Sequence, residues 1–195
     1  MEAKQYLIEV FNQIAPILDE ERPFLESIIS RGRYRAKDYL LMAGDVCSNI
    51  FFITKGLVRY GITDRQGNEV SLKFRAENES ITDFGSFLER QPSENFIEAL
   101  EDVECLKIDR FGIDAIYQKV ANGEKIGRKI AEGLFLESRK QVHSFYKNTP
   151  EERYLHLLTN NGQLVNRIPQ IHIASHIGVR PQSLSRIKRR IVEQE

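Results

Sequence analysis

The chain has 195 residues, 41% hydrophobic and 29% charged, with 28 basic side chains balanced by 28 acidic ones. That composition is ordinary for a folded globular protein of one large domain, or a medium domain plus a small one, and argues against disorder. No run approaches the ~18–20 consecutive apolar residues of a membrane span, and Met1–Leu7 lacks the basic-then-apolar pattern of a secretory signal, so the expected location is cytoplasmic.

Residues 4–18 carry Leu7, Val10, Phe11, Ile14 and Leu18 on one side of a helix. Asp19 suits the N-cap of a second helix through Ile29, with Pro23 tolerable in its first turn. From Arg31 the period changes to short β-prone runs: Tyr34–Met42, Ile50–Thr54, Leu57–Thr63, Glu69–Phe74, Phe96–Leu100 and Val103–Ile108. Turns at Ala43-Gly44-Asp45, Lys55-Gly56 and Arg65-Gln66-Gly67-Asn68 punctuate them, the pattern of an antiparallel barrel or jelly roll. The only cysteines, Cys47 and Cys105, lie far apart in sequence in this β-prone region. They are too few for a disulfide scaffold or a four-thiolate cluster within one chain and are read as buried reduced thiols.

After Asp109 the helical period returns. Asn122 suits the N-cap of a long helix to about Phe145, with Ile126, Ile130 and Leu134 on one face and Gly133 beside it. Past Leu134 that face turns polar at Glu137 and Gln141, while Phe135, Leu136, Val142 and Phe145 point elsewhere. The reading is a short dimer seam plus a face packed on the barrel. Thr149, Pro150, Glu151 and Glu152 start the next helix cleanly, and Asn160-Asn161-Gly162 ends it. The domain boundary falls here, giving a sensor of residues 1–147 and a small domain of residues 148–195.

In Pro169–Ile191, Ile173, Ala174 and Ile177 form one apolar stripe, and Leu184, Ile187 and Ile191 another. Gly178 sits where a helix end requires positive φ, Val179 would lock the turn, and Pro181 suits the start of the next helix. The remaining face presents Gln182, Ser183, Ser185, Arg186, Lys188, Arg189 and Arg190. Between Gln163 and Ile191 there is no Asp or Glu, although the whole chain is balanced. A segregated basic end bearing Gln and Arg predicts a DNA-binding helix-turn-helix.

The order of elements resembles the Crp/Fnr family of bacterial transcription regulators over roughly residues 10–192. The residues that carry it are Ala43-Gly44-Asp45, Ile50–Val58, the hairpin Asp64–Glu69, Ala99–Glu104 and the terminal Gly178–Ile187. The resemblance implies an α+β fold: a cyclic-nucleotide-binding-type antiparallel β jelly roll, a long dimerisation helix and a C-terminal, winged-helix-like helix-turn-helix. It implies a homodimer on an inverted repeat of double-stranded DNA, RNA polymerase as a partner, and no enzymatic activity or membrane. Wing strands would have to precede Pro169, where Gln163–Arg167 is short for them.

Family members that bind cyclic AMP use a Gly-Glu pair and an Arg-Ser/Thr-Ala motif. The Glu holds the ribose hydroxyl and the Arg holds the phosphate, with helix N-terminal amides completing the cradle. Here Phe84-Gly85-Ser86 stands at the first position and Ser93-Glu94-Asn95 at the second, with Ser86 and Ser93 replacing the two charged ligands and Glu94 repelling phosphate. Losing a charge-assisted phosphate pair costs about 1.5–3 kcal/mol. Cyclic AMP is therefore not the expected ligand, no cofactor is predicted, and an unidentified small molecule is the remaining effector class. No His lies in residues 31–109, which argues against haem and against a metal-dependent jelly-roll enzyme. His172 and His176 lack a Glu or Cys partner for a metal. On the DNA face, Pro181 occupies a place where family members often carry a base-reading Arg. Gln182 suits adenine and Arg186 suits guanine or a phosphate, Arg180 and Ser183 suit phosphates, and Lys188 and Arg189 position the protein. The alternative is a ligand-sensing module acting through a protein partner.

Overall fold

The computed structural model describes residues 3–193, with the side chains of Asn161 and Val192 left aside. Two four-stranded antiparallel sheets face one another. One runs β1 (Ser30–Tyr34), β8 (Val103–Asp109), β3 (Asn49–Lys55), β6 (Ser80–Ile81); the other runs β2 (Tyr39–Leu41), β7 (Asn95–Ala99), β4 (Val58–Thr63), β5 (Glu69–Arg75). Phe51, Ile53, Val58, Ile97, Ala99 and Cys105 fill the space between them. β1 pairs with β8 in one sheet and β2 with β7 in the other, so the expected single strand Tyr34–Met42 is instead two. Its middle turns at Arg35–Asp38, where the Arg35 N–H donates to the Asp38 carboxylate at 2.7 Å. Gly56 (φ +95°) makes the β3–β4 turn against the β7–β8 connection; a Cβ there would lie 2.5 Å from the Asp102 carbonyl oxygen.

Helices close the two ends. α1 (Ala3–Ile14) and α2 (Arg22–Ile28) are separated by a 3-10 turn at Asp19–Glu21, so the N-terminal helix stops four residues short of Leu18. The Leu18 N–H donates to Glu21 at 2.8 Å, and the other Glu21 oxygen accepts from Ala121 N at 2.6 Å. These helices share a core with α4 (Arg110–Lys119) and the start of α5 (Gly123–Lys147). Ile126 is buried in that core, so this first member of the expected dimer seam is intramolecular. Asn122 does not cap α5 through its side chain; its amide donates to the Pro16 carbonyl at 2.8 Å.

α6 (Pro150–Val165) begins with the expected capping box, Thr149 Oγ1 accepting from Glu152 N and Glu152 accepting from Thr149 N. It continues through Gly162 to Val165, because Leu164 and Val165 pack into the C-terminal core and tertiary burial outweighs the Asn-Asn-Gly signal. α7 (Gln170–His176) and α8 (Pro181–Val192) follow. No strand lies in the C-terminal region among the described residues, so a wing is not formed there. The C-terminal core includes Leu57, Phe74 and Ala76 from the barrel, so the two regions pack as one. Cys47 and Cys105 are both buried and unbridged, and burial pushes the Cys105 thiol up to about 11. No helix among the described residues is long and apolar enough to cross a membrane.

Candidate nucleic-acid interface and effector cavity

The turn between α7 and α8 is locally encoded. Gly178 takes φ +75°, its N–H donates to Ser175 O at 3.1 Å, and Val179 N donates to Ala174 O at 2.9 Å, the paired bonds of a Schellman motif. Arg153 reinforces it: Nε and Nη2 donate to Ile177 O at 3.1 and 2.7 Å, and Nη1 to Asn148 O at 2.6 Å. Sequence reasoning passed over Arg153, because nothing local links it to a turn 24 residues on. Leu184 and Ile187 are buried beneath α8, with Ile191 partly buried beside them. That leaves Gln182, Arg186 and Arg189 exposed, with Arg180 at the N-cap and Ser183 half-buried.

The cations expected as one basic footprint divide in the structure. Arg180, Arg186 and Arg189 form no ion pair among the described residues. Lys188 lies 5.7 Å above the Tyr154 ring, and Arg190 reaches Glu151 at 3.4 Å. Arg167 is drawn away from any DNA face altogether. It grips two barrel turns, meeting Glu77 at 2.9 Å twice and Glu101 at 3.0 and 2.7 Å. Arg167 holds the Glu77 carboxyl at about 2. The three side chains are about one-third exposed, so the network is screened. Arg167→Ala is expected to cost about 1–2 kcal/mol in urea unfolding, since networks exceed the ~0.2–1 kcal/mol of single exposed pairs. A loss shared by Glu77→Gln and non-additive with it would locate the effect in this network.

α7 also sits on β5, the edge of its sheet. Ser71 N donates to Ser175 Oγ at 3.0 Å, His176 Nδ1 lies 3.3 Å from Ser71 O, and its ring stacks edge-on with Phe74. No group of three or more potential metal ligands occurs among the described residues. Burial pushes the His176 imidazole below its usual 6.5, with Arg153 acting the same way, and burial lowers His172 too. The fold thus favours neutral His176. Its contribution is complete above about pH 6.5 and is lost as pH falls below that value. Hydrogen exchange at Ser71 and Leu72, corrected for intrinsic rates, is expected to quicken between pH 7.5 and about 5.5. A His176→Gln variant that kept the same dependence would count against this assignment.

The second feature is a cavity of about 1020 Å³ between β4, β5, α3 (Phe84–Glu89) and α5. Of the candidate effector residues, Phe84 and Gly85 line it, whereas Ser86, Ser93, Glu94 and Asn95 do not. Ser86 is buried, with Oγ donating to Gln91 O at 2.6 Å and accepting from Cys47 N at 2.9 Å. Glu94 is exposed and does not guard the site. The anion there is Asp83, which caps α3 and is 6% exposed. Its carboxylate accepts from Ser86 N at 3.3 Å, from Asn95 Nδ2 at 2.8 Å and from the Ser93 hydroxyl. The donors that would face a phosphate are thus spent on a carboxylate of the chain itself. The distance between Asp83 and Ser93 in sequence hid it.

On α5, Ile130 and Leu134 line this cavity, and Gly133 is exposed in open space. The face that meets the barrel is the polar one. Gln141 Nε2 donates to Leu72 O at 2.7 Å, and Glu137 pairs with Lys73 and Arg75. Phe135, Val142 and Tyr146 also line the cavity and remain exposed.

Residues 31–120 match the cyclic nucleotide-binding domain family. A relative described as the cAMP-activated global transcriptional regulator Vfr of Pseudomonas aeruginosa is 38% identical over 64 residues, one-third (33%) of this chain and 29% of that protein. Among solved structures, FixK2 of Bradyrhizobium japonicum superposes with TM-score 0.75 at 14% identity over 86% of each chain. The catabolite activator protein of Thermus thermophilus does so with TM-score 0.58 at 19% identity, over 93% of this chain and 86% of its own. The chain shares the fold of these two solved structures. The resemblance read from the order of elements and from residues 43–45, 50–58, 64–69, 99–104 and 178–187 is therefore supported at the level of the fold. The chain spans less than one-third of the length of Vfr in that match, so what Vfr does as a whole is not carried over by it. Both α8 and the cavity against α5 present side chains suited to recognition.

Proposed function

We propose that this protein is a Crp/Fnr-type transcription regulator, not an enzyme. In this reading, residues 148–195 form the DNA-binding helix-turn-helix and residues 1–147 the sensor. The observation that carries it is α8. Its apolar side is anchored on Leu184 and Ile187, while Gln182, Arg186 and Arg189 face outward without protein ion partners among the described residues. Gln and Arg are the side chains that read adenine and guanine edges in a major groove, and Arg180 and Ser183 at the helix start suit phosphates.

The exposed apolar stripe of α5, with Phe135 at 68% and Val142 at 54% exposure, supports pairing with a second copy. Ile130, Gly133 and Leu134 would begin that seam, with Ile126 left out of it. A homodimer places two α8 helices on an inverted repeat with half-site centres about 34–36 Å apart. RNA polymerase is the downstream partner that this class of regulator implies. Asp83, bonded to the donors around it, supports a reading in which cyclic AMP is not the effector.

Selection of fragments from random duplex DNA, with and without cyclic AMP, tests this function. The expected result is an inverted repeat recovered equally in both conditions. Enrichment only with cyclic AMP would mean that Asp83 does not exclude the nucleotide. No enrichment in either would favour a module acting through a protein partner.

A further inference from the structure

We propose that the cavity between the barrel and α5 receives an uncharged, mainly apolar small molecule carrying one oxygen, which hydrogen-bonds to the Tyr60 hydroxyl. This rests on the reading of residues 1–147 as a sensor. The space, about 1020 Å³, reaches the upper end of the range typical of small-molecule sites. Its walls are dominated by Ile62, Val70, Leu72, Phe84, Leu134 and Phe135. Apolar walls favour a ligand that loses little hydration on entry.

Charge narrows the class further. The lining cations are Lys73 and Arg75, and both are already paired with Glu137. The lining anion is Asp83, whose oxygens accept from Ser86 N, Asn95 Nδ2 and the Ser93 hydroxyl. A carboxylate or phosphate entering here would lose its water and find no uncommitted cation in the wall. An ammonium would have to displace those neutral donors to reach the Asp83 carboxylate. Burying an unpaired charge is costly, so an anion is rejected and a cation is disfavoured.

Four lining hydroxyls, those of Tyr60, Ser80, Ser138 and Tyr146, make no hydrogen bond to protein among the described residues, and of these four Tyr60 is the one that is not exposed. The Tyr60 hydroxyl lines the cavity from β4. Thr82, by contrast, is committed to Asn49 O at 3.0 Å, and the Gln141 amide to Leu72 O at 2.7 Å. Tyr60 can donate to a ketone, ether or alcohol oxygen and accept from an alcohol, and a neutral phenol serves both roles. The site also adjoins the C-terminal helices. Val70 and Leu72 of β5 face the ligand space, while Ser71 and Phe74 of the same strand meet Ser175 and His176 of α7.

The test uses the purified full chain and the uncharged fluorophore N-phenyl-1-naphthylamine at pH 8. Saturable enhancement at about one probe per protomer is expected, with displacement by decan-1-ol but not by decanoate or cyclic AMP. Tyr60→Phe should weaken decan-1-ol about two- to tenfold while leaving the fluorophore unaffected, the loss of one neutral hydrogen bond. Val70→Trp, which fills the space from the edge strand, should abolish probe binding with the circular dichroism unchanged. Equal displacement by decanoate overturns the charge argument, and an unchanged Tyr60→Phe overturns the anchor. Absent or non-saturable probe binding overturns the proposal, a second copy's helix then being the natural filler. DNA selection is read separately, so a chain that selects DNA but binds no probe fails here alone. A chain that binds probe but no DNA instead fails the regulatory reading.

Discussion

Arg59→Ala is expected to lose about 3–5 kcal/mol of folding stability, the usual cost of removing one partner from a buried ion pair. Arg59 stands on β4 in the middle of its sheet, 2% exposed, and ties together the strands on either side. Its guanidinium donates to Glu98 on β7 and Glu69 on β5 and lies 4.7 Å from the Phe96 ring centre. The two carboxylates do not count equally. Glu69 is 42% exposed and returns to water when Arg59 is lost, whereas Glu98 is 12% exposed and would keep a charge with no counter-ion. The uncompensated Glu98 therefore dominates the cost. Arg59→Met with Glu98→Leu should recover most of the loss, since an apolar pair of similar volume removes both charges together. Urea unfolding of the three proteins measures this. A loss below about 1 kcal/mol for Arg59→Ala would show that the pair behaves as a surface one.

The second large effect concerns α8. Gln182→Ala combined with Arg186→Ala is expected to weaken selected-site binding by about 2–6 kcal/mol, each bidentate reader being worth about 1–3 kcal/mol. Both side chains are exposed on the face opposite Leu184 and Ile187, so their removal leaves the fold and the thermal midpoint nearly unchanged. The two should separate by position. Arg186→Ala relaxes a guanine position and Gln182→Ala an adenine position. Arg189→Ala, by contrast, lowers affinity for all sequences and flattens the salt dependence by about one phosphate. Binding isotherms on the selected site and on single-base variants decide the matter. Uniform weakening by Arg186→Ala would reassign it to the phosphate backbone.

These expectations draw on two different kinds of information. Thr149 and Glu152 close their capping box within four residues, and Gly178 reaches positive φ because it has no Cβ to be strained there. The Leu184, Ile187 and Ile191 stripe repeats at helical spacing, so the outward position of Gln182 and Arg186 follows from geometry along one helix. Each of these depends on neighbours a few residues away, and each was legible in the chain.

What could not be read locally was settled by contacts between distant segments. Arg167 looked like part of a basic footprint, but Glu77 and Glu101 from two barrel turns claim it, 90 and 66 residues away. Ile126 looked like a dimer residue, but α1 and α2 bury it. The two-residue strand β6 carries too few side chains to show a period and exists by pairing with Phe51 and Phe52. The anion at the effector site was placed at Glu94 on chain order, whereas Asp83 fills it through donors 3 to 12 residues further on. Periodicity, caps and turns thus determined the kinds of element and the outward face of α8. Which charges are spent inside the molecule and which remain for a ligand was decided by tertiary structure alone, because a charge is neutralised by whatever lies within a few ångströms, regardless of separation along the chain.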